Sequence, residues 1–410
     1  MTEGISFGGL LVVSLIAVAA PLTATLLRRL LIPAVVLEII AGIVVGPDVL
    51  GWVEVDPPIE VLALVGLAFL LLLAGLEIDL MRLRGDLLLL PVLGFALTLV
   101  LGLVAGFGFD AAGWVRDPMF VAVALAATSL GVVVPVLKDA GQADRMLGQL
   151  TIAGATVADF GAVLLLSLVF SESEGGTTSR LVTLGSFALV IAAVGLALAR
   201  AGRSMRIDAV LVRLQDTTAE IRVRIAVALL MGFVALAARV GLETILGAFL
   251  AGAVLGLVDR DTVSHPNFRL KLEAVGYGFV IPVFFVTSGL RFDLDALTAS
   301  PSALARVPVF LAALLVVRGA PALLYRRHLG RDGVLVAGLL QATSLPFMVT
   351  ATEIGVGIGA VRPETAAGLV SAGLLSFVAF PPLALARLRR ITGKSGTPGS
   401  TDEALIDHRR

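Results

Sequence analysis

Residues 126–131 read AATSLG, and residues 341–346 read QATSLP. Each puts an adjacent Thr and Ser inside an apolar run, Thr128–Ser129 and Thr343–Ser344, with helix breakers close behind. Those are Gly131 and Pro135 in the first run and Pro346 in the second. Ser and Thr side chains compete for backbone hydrogen bonds and Pro removes one, so both runs make poor helix interiors here. The two sites are also framed alike. AGLEIDL (74–80) precedes the first and SGLRFDL (288–294) the second; Gly75 to Thr128 is 53 residues and Gly289 to Thr343 is 54. Earlier still stand LEIIAG (37–42) and LETILG (242–247), in the same order. Three short matches in register point to a duplicated unit carrying one interrupted helix per copy.

Composition says what surrounds such a unit. The 410 residues are 58% hydrophobic and 15% charged, with a mean hydropathy of +1.01. Soluble domains run at about 45–50% apolar and about 25% charged. The chain therefore reads as an all-α polytopic membrane protein, its partner a lipid bilayer. Runs long enough to cross about 30 Å of hydrocarbon occur about thirteen times. They divide a transmembrane domain, 1–390, into units at about 6–170 and 220–386, joined by a linker helix at 180–200 and a connection at 201–219. Six crossings per unit and one in the linker insert the second unit upside down. Inverted repeats mark secondary transporters, whose substrate site lies near the midplane between the repeats.

Charge sets the orientation. Assigning alternate loops to opposite sides puts 24 of the 31 Lys and Arg residues on one side, among them Arg28, Arg29, Arg326, Arg327 and Arg387. That side is cytoplasmic by the positive-inside rule, which places the N-terminus outside and the C-terminus inside the cell membrane. The N-terminal run lacks a basic start and carries Glu3, so it reads as a first span rather than a signal peptide. AGRSMRIDAVLVRLQDTTA (201–219) suits an interfacial helix, and the Gly-, Ser- and charge-rich tail 391–410 suits disorder.

Several function classes drop out. Without cysteine there is no disulfide framework, thiolate metal site or cysteine nucleophile. No basic aromatic patch suggests nucleic acid. His265, His328 and His408 fall in loops or the tail, and HExxH, GxSxG and phosphate-loop motifs are absent. No enzyme chemistry, metal centre or cofactor is expected.

The polar residues at membrane depth remain. Asp159 lies near the middle of TIAGATVADFGAVLLLSLVF (151–170), where an aspartate costs about 2.5–3.5 kcal/mol even on insertion scales. Its flanking Gly154, Ala155, Ala158 and Gly161 would let another backbone approach. It is either an ion- and proton-binding group or a structural acid that caps a neighbouring helix or pairs with a base. The two broken helices leave half-helix ends whose N–H and C=O groups can face an ion. Thr128 and Ser129 could then supply oxygens, with Thr343, Ser344 and Pro346 forming the second break. Arg318 is a charge-compensating cation or a side chain that snorkels to the interface. Glu38 and Glu243 suit support roles beside helix ends, and Glu353 an interface.

These residues resemble the second branch of the cation:proton antiporter superfamily, the sodium/proton and potassium/proton exchangers. The resemblance runs from about 10 to 388. It rests on PAVVLEIIAGIVVGPDVLG (33–51), FLLLLAGLEIDL (69–80), ATSLGVVVPVLKDAG (127–141), GATVADFGAVLLL (154–166), GLETILGAFLAGAVLG (241–256) and LEAVGYGFVIPVFFVTSGLRFDL (272–294). It implies thirteen helices in inverted repeats, two crossing discontinuous helices at the ion site, and a homodimer. It also assigns Asp159 the ion- and proton-carrying position and Arg318 the basic one. The chain departs from the family pattern at Ala158, where Asp or Asn is usual, at Arg318, often Lys, and in a loosely matching second crossing region.

The expected mechanism is competition. Desolvation makes a bare carboxylate costly, and either a proton or Na⁺ or K⁺ at Asp159 relieves that cost, which enforces exchange. With Ala158 unable to titrate, one proton per cation gives electroneutral antiport. The alternatives are a sodium-coupled organic-anion symporter on the same plan, a cation channel, and a membrane sensor that transports nothing.

Overall fold

In hydrocarbon every backbone N–H and C=O must find a partner within the protein, and apolar runs of about twenty residues do so as helices, each satisfying its own backbone. The computed structural model describes residues 7–26, 33–76, 89–170, 220–258, 267–298 and 301–394, with isolated positions between 185 and 193. All regular elements among the described residues are helical. The first half holds α1 (Phe7–Leu26), α2 (Ala34–Val45), α3 (Pro57–Leu76), α4 (Leu89–Ala111), α5 (Pro118–Ala124), α6 (Leu130–Asp139) and α7 (Met146–Phe170). The second holds α8 (Ile221–Arg239), α9 (Thr244–Val258), α10 (Phe268–Leu290) and the short α11 (Leu294–Thr298). Next, α12 starts as Pro301–Leu314 and continues through a π turn, Leu315–Gly319, and a 3-10 turn, Ala320–Tyr325. It is followed by α13 (Arg326–Gln341), α14 (Pro346–Gly357) and α15 (Pro363–Lys394).

Eight stretches among the described residues are long and apolar enough to cross a bilayer, and α2 and α9 carry shorter apolar helices. The linker helix expected at 180–200 lies outside the described residues except for those isolated positions, as does all of 201–219. Of the expected tail, 391–394 continues α15, while 395–410 lies outside the described residues. His265 and His408 also fall outside them.

Both expected interruptions are present. The first run breaks at 125–129 between α5 and α6, and the second at 342–345 between α13 and α14. Asp117 caps the start of α5 by accepting from the Met119 and Phe120 amides, so the break further along leaves a helix that is short at both ends.

Glycines decide which helices lie closest. A Cβ at Gly42 would sit 2.2 Å from the Val286 carbonyl, and one at Gly289 2.2 Å from the Ile39 carbonyl. α2 and α10 therefore touch backbone to backbone. In the same way α3 lies on α9, where a Cβ at Gly75 would sit 2.1 Å from the Phe249 carbonyl. Small residues at such contacts bring backbones within van der Waals range, the main attraction between helices in lipid. By the sequence repeat, α2 corresponds to α9 and α3 to α10. These two pairs, and α3 with α10, where a Cβ at Gly66 would sit 2.1 Å from the Val280 carbonyl, each join one helix from each half, while α9 lies as close to α8 at Gly247.

Candidate functional site

The two breaks meet. The Ser129 amide donates to the Thr343 carbonyl at 2.9 Å, and the Thr128 hydroxyl to the Gln341 carbonyl at 2.7 Å. The N-terminal end of α6 and the C-terminal end of α13 thus face each other inside the bundle. Facing ends bring partial positive charge from free N–H groups against partial negative charge from free carbonyls.

Asp159, on α7, reaches this junction. Its Oδ1 accepts from the Thr128 amide at 2.9 Å and its Oδ2 from the Leu130 amide at 3.4 Å. The acid therefore caps the half-helix α6 from outside it, where the dipole favours negative charge. Capping does not exhaust it, because Asp159 also lines a cavity of about 110 Å³. Ser129, Leu130 and Tyr277 share that cavity, and most of the remaining wall is apolar, from Leu70 to Phe377. The space accommodates several waters or a partly hydrated ion. On one side its wall comes from α2, α3, α9 and α10, and on the other from α6, α7, α14 and α15. Ala158, one residue back, is fully buried.

Arg318 is the basic partner. It is 2% exposed, so it does not snorkel to an interface. Its Nε donates to the Thr128 hydroxyl at 2.9 Å, Nη2 binds the same oxygen, and Nη1 donates to the Thr98 hydroxyl at 3.1 Å. The π turn explains the aim. One extra residue in the turn shifts the helical phase, so Arg318 points inward while its neighbour Val316 is exposed. The Thr128 hydroxyl, accepting from Arg318 and donating to Gln341, is fully committed in this conformation. That leaves Asp159 and Ser129 as the junction's oxygen-bearing side chains on the cavity wall.

The second break is built differently. The Thr343 hydroxyl donates back to the Leu339 carbonyl of its own helix, and the Ser344 backbone exchanges hydrogen bonds with Ser376 of α15. The Ser344 hydroxyl is buried without a hydrogen-bond partner among the described residues. Pro346 takes the first helical position of α14, where its missing N–H costs nothing.

Three further residues escaped the sequence reading. Thr98 anchors Arg318, the Gln341 carbonyl receives Thr128, and the Gln341 amide donates to the Tyr325 hydroxyl at 3.4 Å. The small residues around Asp159 also serve other neighbours than expected. A Cβ at Gly154 would meet the Gln341 and Tyr325 side chains, and one at Gly161 the Phe95 ring. Side chains, not a backbone, fill those spaces. Glu38 is buried in α2, and Glu353, 31% exposed on α14, lies 3.7 Å from Arg291, which also pairs with Glu60 of α3 at 3.1 Å. That bridge ties α14 to α3 and the end of α10.

Residues 14–385 match the family described as sodium/hydrogen exchanger, transmembrane. A candidate Na⁺/H⁺ antiporter of Bacillus subtilis is 29% identical over 93% of this chain, and the match spans 63% of that relative's length. A Na⁺/H⁺ antiporter of Enterococcus hirae is 30% identical over 69% of this chain and 73% of its own. Among solved structures, a sodium proton antiporter from Methanocaldococcus jannaschii superposes with a TM-score of 0.66. It covers 93% of this chain and 98% of its own at 19% identity, a likeness of fold.

Proposed function

This multi-pass membrane chain belongs to the sodium/hydrogen exchanger family, and on that premise we propose that it exchanges Na⁺ or K⁺ for H⁺ by alternating access. The observation that carries the reading is Asp159, a carboxylate at the meeting of two helix breaks and on the wall of a cavity. A proton and a monovalent cation compete for it. When the cation binds, the carboxylate shares its charge between that ion and the α6 amides, with Ser129 and cavity water completing the shell. Arg318 offsets the acid's charge and holds the first break through Thr128. α2, α3, α9 and α10 form a frame, and the helices bearing the two breaks move against it.

Three finer points belong to the same reading. Six crossings per unit and one in the linker would give the two units opposite orientation. Ala158 leaves one titratable carboxyl at the junction, so one proton moves per cation and the exchange is electroneutral. The basic loops face the cytoplasm of a cell whose plasma membrane holds the protein, as a homodimer, with the N-terminus outside.

Vesicles with an entrapped pH dye provide the test. Addition of Li⁺, Na⁺, K⁺ or Rb⁺ should release a preset pH gradient, and Asp159→Asn should abolish that release while the protein remains folded. Passive cation flux that persists in Asp159→Asn would mean a channel. Silence toward all four cations together with Na⁺-dependent uptake of an organic anion would mean a symporter. An imposed membrane potential under symmetric ions should drive no net exchange; net movement would overturn the stoichiometry.

A further inference from the structure

A second cavity, of about 640 Å³, lies between the later halves of α12, α13 and α15. Its floor is the contact of Gly319 with Gly338, where a Cβ on Gly338 would stand 3.0 Å from the Gly319 carbonyl. Its walls are apolar and open outward: Val316 and Leu323 of α12, Leu335 of α13 and Leu383 of α15 all line it and are exposed. One end is different. Leu383, Ala386, Arg387 and Arg390 recur at helical spacing on one face of α15, so the lining passes from apolar to basic over seven residues. That is about 10 Å of helix, within the roughly 15 Å that one leaflet contributes to the hydrocarbon core. Arg387 bonds Asp332 through Nε at 3.0 Å, and Arg390 has no ion-pair partner among the described residues. Arg326 and Arg327, both exposed, follow Leu323 at the junction of α12 and α13.

We propose that this groove binds one anionic phospholipid, with an acyl chain along the apolar floor and the phosphate at Arg390 and Arg387. The chemistry selects this occupant over a packed helix. A helix seated in the groove would have to bring its own carboxylate to the enclosed Arg390 guanidinium, whereas the phosphate of an anionic lipid satisfies its fork of donors at the depth where Arg390 stands. The match of depth to polarity is that of a lipid standing in its own leaflet. Occupancy also bears on the ion site. Gly319 follows Arg318 directly, so a chain on this floor packs behind the π turn that aims the guanidinium at Thr128. The lipid would hold that turn in place; this second effect rests on the proposed antiport, the binding itself does not.

The test is native mass spectrometry of the full chain purified in mild detergent, titrated with phosphatidylglycerol or with phosphatidylcholine. Wild type should retain one phosphatidylglycerol under activation that strips phosphatidylcholine. Arg390→Gln should weaken that retention about fivefold, the worth of one basic side chain at the membrane surface. Leu335→Trp, which fills the groove without touching a charge, should remove it. Equal retention of both lipids, or of phosphatidylglycerol by all three proteins, would mean adventitious annular lipid only and would overturn the site. Vesicle exchange in the presence and absence of phosphatidylglycerol reads the second effect, which should be larger in wild type than in Leu335→Trp. If wild type shows no exchange at all, the antiport reading fails while the binding result stands.

Discussion

The same four letters, ATSL, break two helices, and the two breaks do different work. At the first, Thr128 joins Arg318 to the Gln341 carbonyl while its amide and that of Leu130 hold Asp159. At the second, the Thr343 hydroxyl only bonds back into its own helix, and the Ser344 hydroxyl has no partner among the described residues. The sequence at each break sets the geometry, because Thr, Ser and a nearby breaker interrupt the ladder wherever they stand. What the break can bind depends on which helices face it. α7 and α12 bring an acid and a base to the first, and α15 brings Ser376 to the second. A duplicated backbone device has thus been equipped chemically in one copy.

Substitutions can break that contrast or sharpen it. The largest effect belongs to Arg318→Met. Each hydrogen bond from a charged donor is worth about 1.5–3 kcal/mol, so cation/proton exchange in vesicles should fall about a hundredfold. Arg318→Lys should recover part of it, since a single ammonium cannot span Thr128 and Thr98 as the guanidinium fork does. Thr128→Val should cost about 1–3 kcal/mol in unfolding, against less than about 1 kcal/mol for Thr343→Val, whose hydroxyl bonds only its own helix. Equal losses would erase the distinction between the breaks. Glu353→Gln tests the tether at the far end of α14. The pair with Arg291 is partly exposed, so thermal unfolding should register no more than about 1 kcal/mol, while the exchange rate should change if the tether restrains the motion. Smallest is Ser344→Ala, which removes a buried hydroxyl that bonds nothing and should lie within about 0.5 kcal/mol of wild type, on the stabilising side.

The parts that could be read from sequence are those governed by local rules. Both breaks and the long apolar helices follow from periodicity and helix breakers. The partners of Arg318 do not. Thr98 is one hydroxyl in an apolar helix, and a Thr bonding its own preceding turn would produce the same letters. Tyr325 and Gln341 lie sixteen residues apart with an arginine-rich turn between them, a closeness that only the fold creates. The π turns at Leu315–Gly319 and Gly276–Val280 leave no pattern either. A one-residue phase shift is smaller than the error on any span boundary, yet it turns Arg318 inward and accompanies Tyr277 on the cavity wall. The spaces around Gly154 and Gly161 were legible as spaces, but their occupants come from distant helices.

The buried guanidinium has an electrical consequence. Arg318 and Asp159 meet at Thr128, one through its hydroxyl and the other through its amide, so a body that carries the acid across the membrane carries the arginine with it. In the proposed exchange the pair would bear one positive charge when loaded with a proton or a monovalent cation, and none when empty. Each loaded stroke would then move a charge through the field, worth about 2.3 kcal/mol per 100 mV for a full crossing, and the return stroke would move it back. The potential cancels from the equilibrium of a one-for-one exchange, yet it retards one stroke as it assists the other. For strokes equally fast at zero potential, turnover would be fastest in a depolarised membrane although the direction of exchange ignores voltage, and futile return of the empty site would be opposed by the stripping of its ligands rather than by the field.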